Sequence, residues 1–501
     1  MAIGSEIISR IVGYTLLKGN FRDETPNLPQ SIAILAEANS ANQVGLATNP
    51  VTVTSAKKAG ELFGFGSPIY NIMRILRPNQ GSGVGGIPTV VYAQPEAGGS
   101  AAKEMTITPS GTATANGTHT IKISGRTGLD GVFYNINIIT GDTVATVSTK
   151  IADAINAVLG CPVSATATAT EATAVAKWKG LTSQEIVIEV DLNDTDLGIT
   201  YVVAQTVAGS GTPSVQSALD QFGNTWHTIV INSYGEETGV MDTLEAFNGI
   251  ADPDIPTGRY DPIVWKPFVA LTGSTSDDPS SITDARKEDM TIALCPAPNS
   301  DGMTSEAAAN YALIHARIAQ DKPNIGIGGK SLIDMPTPDV IGSMSDLTNR
   351  QLFVSKGCST VDLVNNEYQV QDFVTTYHPD GETPPAYRYV RDINVDMNMK
   401  FGDYLIQITY VLDKQIANDD DTVTATDVIK PKELKGLYDQ YAVSQGKKGL
   451  IADVGFMQDS IVVGISPTNP NRLNSAYSYK RSGVAIVVNT DATAGFNFGT
   501  V

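Results

Sequence analysis

The chain has 501 residues, which is too long for one hydrophobic core and predicts roughly three or four domains. Its net charge of −19 and the absence of a Lys/Arg-rich run argue against binding to phosphate backbones, so we expect no nucleic-acid partner. No apolar run approaches the ~20 residues that a membrane helix needs, so we expect no membrane insertion by this chain.

Cysteine usage and the first residues indicate the compartment. Cys161, Cys295 and Cys358 are widely spaced and odd in number, which fits neither a disulfide framework nor a zinc site and suggests a reducing cytosol. The start of the chain has an early acid, Glu6, and no basic leader or cleavage site, so a secretory signal is not expected.

The N-terminal third predicts two helices and a strand after a short apolar piece. Ile7–Tyr14 is a short apolar piece that is followed by a Pro-containing linker from Lys18 to Gln30. Residues 55–76 repeat apolar side chains at helical spacing and are interrupted between Gly64 and Pro68, which predicts two short helices. The turn GSGVGGIP then leads into TVVYAQP, a predicted strand.

Residues from about 100 to 210 differ in composition: Thr, Ala and Gly dominate, and apolar residues alternate with polar ones. This alternation predicts strands. One predicted helix, TVATVSTKIADAINAVLG, interrupts them. The flanks PEAGGSAAK and VAGSGTPSV look like flexible linkers. We therefore expect an inserted, peripheral β-rich domain that sits apart from the core and faces solvent.

After the insertion, strands alternate with helices, which predicts a parallel α/β core. From about residue 350 a second β-rich stretch is expected, with strands in QLFVSKG, TVDLVNNEYQV, DINVDMNM and DYLIQITYVL. KPKELKGLYDQYAVSQGKK then predicts a helix and DSIVVGIS a strand. The final apolar strand, GVAIVVN at 483–489, has only a Gly/Ala/Thr-rich tail after it, so it needs a partner in its own domain or on another molecule.

No motif supports an enzyme or a cofactor. The GxGxxG match at Gly81–Gly86 is followed by a strand rather than a helix, and Gly329-Lys330-Ser331 lacks the first glycine and the helix of a phosphate loop. The four histidines are dispersed, and Asp419–Asp421 lacks the pattern of a calcium loop. We therefore predict no catalytic residues, no metal and no cofactor.

Five segments, in order, resemble contractile phage tail sheath proteins of the Mu-like type. They are ELFGFGSPIYNIMRIL, the block from THTIKISG to CPVSATA, TNRQLFVSKGCSTVDLVNNEYQVQDFVTTYH, KPKELKGLYDQYAVSQGKKGLI and ISPTNPNRLN. Together they span some 400 residues. Each motif alone is weak, but their shared order favours the family.

The resemblance implies a multidomain α+β protein: an α/β core domain with an inserted β-rich domain, and a C-terminal α+β domain carrying extended N- and C-terminal arms. The expected boundaries are 1–30 for the N-terminal arm and linker, 31–98 and 213–348 for the two parts of the core, 99–212 for the insertion, 349–480 for the tube-facing inner domain, and 481–501 for the C-terminal arm. It also implies a helical assembly around a tail tube that contracts from a metastable extended state.

The implied partners are further copies of the chain in stacked hexameric rings, the tail tube protein, and baseplate and terminator proteins. The implied location is the virion tail, after assembly in the host bacterial cytoplasm. Candidate arm-strand residues that pair with neighbouring subunits are Ile7, Ile8, Ile11, Val12, Val484, Ile486, Val487 and Val488.

Charge adds a second expectation. The segment from Lys430 to the end carries eight basic and five acidic residues, a net charge of +3 against −22 for the rest. Lys435, Lys447 and Lys448 are therefore candidates to face an acidic tube, although a solvated surface is the simpler interpretation. The alternative function is a surface or secreted adhesion protein that binds through its Thr/Ala-rich β domain.

Overall fold

A computed structural model describes residues 26–81, 83–251 and 254–496. The chain divides into two compact units. The main unit is Pro29–Met397, and the C-terminal unit combines Asn398–Val501 with Met1–Leu28. The predicted N-terminal arm strand, with Ile7, Ile8, Ile11 and Val12, lies outside the described residues.

The main unit begins with the first half of an α/β core. Its elements are β1 (Ile32–Glu37), β2 (Val51–Thr52), α1 (Ala56–Phe63), α2 (Pro68–Leu76) and β3 (Thr89–Gln94). The break between the helices falls where predicted, because Gly64 ends α1 with φ +94° and Ser67 accepts a hydrogen bond from the Tyr70 N–H at the start of α2.

The insertion forms two larger antiparallel sheets, a separate two-stranded antiparallel pair and one α-helix. Its elements are β4 (Glu104–Gly111), β5 (Gly117–Ile123), β6 (Gly128–Leu129), β7 (Val132–Phe133), β8 (Asn135–Ile138), α3 (Val144–Asn156), β9 (Val163–Ala167), β10 (Ala172–Ala176), β11 (Ile188–Asp191) and β12 (Ile199–Val207). The order β12-β4-β10-β9 makes the larger sheet and β11-β5-β8 the smaller. Trp178, Tyr134 and Ile151 are fully buried in a core that α3 shares with both sheets.

The second half of the core completes a parallel sheet. Its elements are α4 (Gln216–Asp220), β13 (Ile229–Asn232), α5 (Thr238–Asn248), β14 (Val269–Ser274), α6 (Ser280–Asp284), β15 (Ile292–Pro296) and α7 (Thr304–Asp321). The sheet order is β15-β14-β13-β1-β3-β2, with only β2 antiparallel. Its strands are almost entirely buried, which explains their continuous apolar runs.

The stretch after residue 346 contradicts the expected strands in three places. It contains α8 (Leu347–Ser355), β16 (Thr360–Val364), β17 (Glu367–Asp372) and α9 (Val390–Ile406), followed by a π-helical turn at Gln407–Val411. The hairpin β16–β17 matches TVDLVNNEYQV. QLFVSKG, DINVDMNM and most of DYLIQITYVL are helical, so those strand predictions are wrong.

Burial on several sides of α9 explains that error. Ile393, Val395, Met397 and Met399 alternate along the sequence and are all nearly fully buried. Asn394 and Asn398 are buried between them. A helix that is enclosed on most sides loses the one-sided apolar pattern of period 3.6, and here the remaining pattern imitates a strand.

The C-terminal unit is built from helices and very short strands. Its elements after α9 are β18 (Gln415–Ile416), β19 (Val428–Ile429), α10 (Pro431–Lys447), β20 (Ile451–Ala452), α11 (Val454–Ser460), β21 (Val462–Ile465), β22 (Leu473–Ala476) and β23 (Lys480–Arg481). The strands pair as β18–β19, β20–β23 and β21–β22, and each pair is isolated from the others. Tyr438 and Tyr441 of α10 are buried and bond Asp403 and the Met399 carbonyl.

Gly273 provides a test of the close packing between β14 and α7. A Cβ at this position would lie 1.8 Å from the Thr304 carbonyl oxygen, which is backbone and cannot rotate away. Gly273→Ala should therefore lower the free energy of unfolding by about 1–3 kcal/mol in chemical denaturation. Gly86→Ala is the control, since a Cβ there meets nothing within 4 Å. Equal stability of the two variants would contradict this packing.

Candidate functional site: a filled crevice and candidate assembly surfaces

The carboxyl ends of β1 and β13 mark the place where open α/β sheets bind ligands. The chain leaves β1 toward β3 on one side and returns as β13 on the other, so the strand order reverses between them. Such a reversal opens a crevice at the carboxyl edge. In this protein, residues 178–185 of the insertion contact that edge.

Glu37, the last residue of β1, is the first contact. Its Oε2 accepts a hydrogen bond from the Thr182 hydroxyl at 2.6 Å, and that hydroxyl accepts one from the Trp178 indole at 2.8 Å. Gly180 lies against the same carboxyl group, where a Cβ would be 2.4 Å from Oε1. Oε1 is buried without a hydrogen-bond partner among the described residues. Burial raises the pKa of Glu37 to about 8.

Glu185 is the second contact, and it caps a core helix from the insertion. Its two carboxyl oxygens accept hydrogen bonds from the Thr304 N–H at 2.8 Å and the Thr304 hydroxyl at 2.7 Å, at the first residue of α7. A carboxylate at a helix N-terminus satisfies an otherwise unpaired N–H. Burial nevertheless raises the pKa of Glu185 to about 7.

Glu306, in the first turn of α7, makes the third contact between the core and the insertion. The core residue Arg74 contacts one of its oxygens at 3.2 Å, and Arg126 of the insertion contacts the other at 3.0 Å. Both arginines also contact Asp334. The Glu306 side chain is 2% exposed, so this ion pair is almost fully removed from solvent.

The insertion therefore does not sit apart from the core, and that expectation is wrong. Its two flanks are also ordered, since Ala101 and Ser210 exchange backbone hydrogen bonds of 3.0 and 3.1 Å. The Gly/Ser-rich flanks predicted flexible linkers. The contacts of Glu37, Glu185 and Glu306 instead hold the insertion on the core, and each contact joins residues far apart in sequence. Single charged residues in a sequence do not reveal such partners.

Within the described ranges, no group of three or more His, Cys, Asp or Glu side chains is arranged to hold a metal ion. The same residues contain no helix that is both long and apolar enough to cross a membrane.

The predicted C-terminal arm strand is not a strand within the chain. β23 ends at Arg481, and residues 482–496 have no regular structure. Ile486, Val487 and Val488 are 48%, 86% and 82% exposed, and Val484 is half-buried. Pairing of this segment with another subunit remains a prediction.

The three candidate lysines do not form one patch. Lys435 and Lys447 are both exposed on α10, but twelve residues separate them by about 18 Å along the axis and about 120° around it. Lys448 is half-buried, and its ammonium donates to the Asn27 side chain at 3.2 Å. Only Lys435 and Lys447 therefore present exposed side chains.

An apolar stripe on the C-terminal unit was missed from the sequence. Tyr404 of α9, Ile408 of the π-helical turn and Leu412 directly after that turn are spaced four residues apart, and they are 50%, 41% and 62% exposed. The helical spacing was present in the sequence, but the segment was interpreted as a strand. Val462 on β21, 67% exposed, adds to the apolar surface of this unit.

These features define a mixed α and β protein with several sheets, in which the insertion contacts the carboxyl edge of the core sheet. The chain is similar to the Mu-like prophage FluMu tail sheath protein of Haemophilus influenzae, with 23% identity over 436 residues, covering 85% of this chain and 84% of that protein. The resemblance to tail sheath proteins is thereby confirmed. No protein-family model matches the sequence.

Solved structures with similar folds also include tail sheaths. The crystal structure of the sheath tail protein from Desulfitobacterium hafniense has a TM-score of 0.45 and 10% identity, over 94% of this chain and all of that one. A chain of the anti-feeding prophage baseplate has a TM-score of 0.48 and 11% identity, over 98% and 100%.

The buried carboxyl groups predict how the stability of the main unit depends on pH. Glu37 and Glu185 bind protons more tightly in the folded state, since burial raises their pKa from the ordinary 4.5 to about 8 and about 7. The free energy of unfolding should therefore fall as pH rises from about 5 to about 8. Thermal unfolding across this range should show the decline.

Glu37→Gln should flatten that decline, because an amide cannot ionise and fits a similar space. Glu61→Gln on the surface of α1 is the control, since Glu61 makes only exposed ion pairs with Lys57 and Lys58. An unchanged slope in Glu37→Gln would contradict the assigned protonation of Glu37.

Proposed function

We propose that this chain is the structural subunit of a contractile tail sheath. It polymerises as a helical assembly around the tail tube and contracts from a metastable extended state, driving the tube through the target cell envelope. The observation that carries the proposal is the similarity to the Mu-like tail sheath protein along 85% of the chain. Stored energy lies in the packing of many identical subunits rather than in a bound nucleotide.

The two units fit different parts of this function. The main unit and its insertion share buried hydrogen bonds and ion pairs, which suit a rigid body that moves as a whole. The C-terminal unit has strands of two to four residues and an exposed apolar stripe, which suit a surface completed by neighbours. We assign the inner, tube-facing part to residues 349–480, which combine the last residues of the main unit, 349–397, with most of the C-terminal unit, and the outer part to residues 99–212.

The terminal arms connect neighbouring subunits. Ile7–Tyr14 and 483–489 add strands to the C-terminal sheets of adjacent copies, so that backbone hydrogen bonds persist while the rigid bodies reorient. The exposure of Ile486, Val487 and Val488 supports this, because an uncharged β-branched segment is left without a strand partner in its own described chain. The remaining partners are the tail tube, baseplate and terminator proteins, in a virion tail assembled in the bacterial cytoplasm.

Removal of the C-terminal arm tests polymerisation. Deleting residues 483–501 should leave a folded subunit that no longer forms tubes or rings, because the donor strand is lost. Pelleting and negative-stain microscopy measure assembly, and circular dichroism verifies folding. Deleting only 491–501 is the control and should preserve assembly. Normal sheaths from the longer deletion would show that 483–489 is not the connecting strand. A full-length chain that forms neither tubes nor rings at high concentration would oppose the sheath function itself.

Charge reversal tests the tube-facing surface. Lys435→Glu with Lys447→Glu should weaken co-assembly with the tail tube and reduce the salt dependence of that step, because exposed charges on α10 guide the alignment of an acidic tube. The control is Lys57→Glu with Lys58→Glu, which alters two exposed lysines on α1. Tube co-sedimentation at several salt concentrations provides the measurement, and equal behaviour of both double variants would remove the assignment.

A further inference from the structure

The long edge strand β12 of the insertion has the properties of a pairing site. It runs for nine residues, ITYVVAQTV, at one edge of the sheet β12-β4-β10-β9. It contains no charged residue and no proline, and Val202 on its outer face is 65% exposed. Open edges of soluble proteins are normally shortened, charged, interrupted or covered, because they otherwise pair with other chains.

The pairing with β4 shows which backbone groups of β12 point outward. Tyr201 lies opposite Pro109, which has no N–H to donate. In an antiparallel ladder, hydrogen-bonded and non-hydrogen-bonded positions alternate, so Tyr201, Val203 and Gln205 take the non-hydrogen-bonded positions toward β4. Their N–H and C=O groups point away from the sheet, and the described backbone hydrogen bonds outside the ladder include none from them. A bulge follows only after Gln205.

The opposite edge of the same sheet is closed. On β9, the Asn156 side chain accepts a hydrogen bond from the Ala165 N–H at 3.0 Å and donates one to the Ala165 carbonyl at 2.7 Å. Asn156 thus supplies the pair of bonds that a neighbouring strand would make. The sheet can therefore extend at β12 but not at β9, which excludes head-to-tail pairing of one copy's β12 with another copy's β9.

The absence of charge on β12 permits self-pairing at this strand. Residues 29–397 contain 21 basic and 39 acidic residues, a net charge of −18, so two main units repel each other over most of their surface. Two acidic copies can approach each other most closely at the uncharged strand β12. In an antiparallel pair centred on Val203, Val202 of one copy lies opposite Ala204 of the other, and Tyr201 lies opposite Gln205, without any like-charge contact.

We propose that β12 is a self-pairing edge, at which two copies of the chain join their four-stranded sheets into one eight-stranded sheet about a two-fold axis. A two-fold contact closes after two copies and does not generate an open fibre. In a polar helical assembly all copies point the same way, so this pair belongs to the subunit before assembly and must separate as the sheath forms.

The mass of the unassembled full-length chain tests the pair. We expect a dimer by light scattering after assembled material has been removed. Val203→Pro should convert it to a monomer, because proline removes an outward N–H without breaking a bond to β4. Val202→Lys with Ala204→Lys should raise the dimer dissociation constant at least about tenfold by placing like charges opposite each other. If the proline variant does not fold, the double lysine variant alone tests whether the dimer forms through β12.

Thr166→Lys is the matched control, because it adds a lysine to an exposed position on the closed edge strand β9. It should remain dimeric. A wild-type chain that is monomeric up to ~100 μM, a dimer that survives both β12 variants, or loss of the dimer in Thr166→Lys would each overturn the proposal. Tube formation is scored separately by microscopy, so failure of the β12 pair and failure of the sheath function give different results.

Discussion

The main unit depends on one buried electrostatic contact, the carboxylate of Glu306 held between Arg74 of the core and Arg126 of the insertion. Burial of a single carboxylate is costly, and the cost is offset only while both guanidinium groups remain in place. Loss of either arginine would leave a buried charge incompletely compensated. The contact therefore favours the docked position of the insertion, in which each carboxyl oxygen of Glu306 faces a guanidinium group.

The C-terminal unit follows the opposite principle. Its strand pairs are short and separate from one another, while Tyr404, Ile408 and Leu412 remain in contact with water. Short pairs of strands are marginal in isolation, and exposed apolar stripes raise the free energy of a free subunit. In the proposed assembly, neighbouring copies would supply the missing strands and apolar surface. The two units differ in what their described residues leave exposed: the main unit buries its polar contacts with the insertion, whereas the C-terminal unit leaves apolar side chains open to solvent.

Much of the core was predictable, because local pattern and final environment agree. The alternation of apolar runs with helical periods around β13, α5, β14, β15 and α7 identified parallel strands and their covering helices. The prediction failed where burial came from several directions, as in α9, whose alternating Ile393, Val395 and Met397 imitate a strand. The contacts between the insertion and the core could not be predicted either, since nothing near Glu185 in the sequence indicates that it caps α7. The arm strands at both ends and the tube-facing lysines remain predictions.

The way the insertion occupies the crevice limits how this chain can be altered, by evolution or in the laboratory. A module joined by two neighbouring backbone crossings at Ala101 and Ser210 would ordinarily be exchangeable for another domain. Excising this one would uncover Glu37, remove the cap of α7 and leave Arg74 as the sole guanidinium beside Glu306. Foreign sequence is better accommodated at the exposed turns Thr140–Gly141 or Asn193–Asp194, which leave all three carboxyl contacts intact.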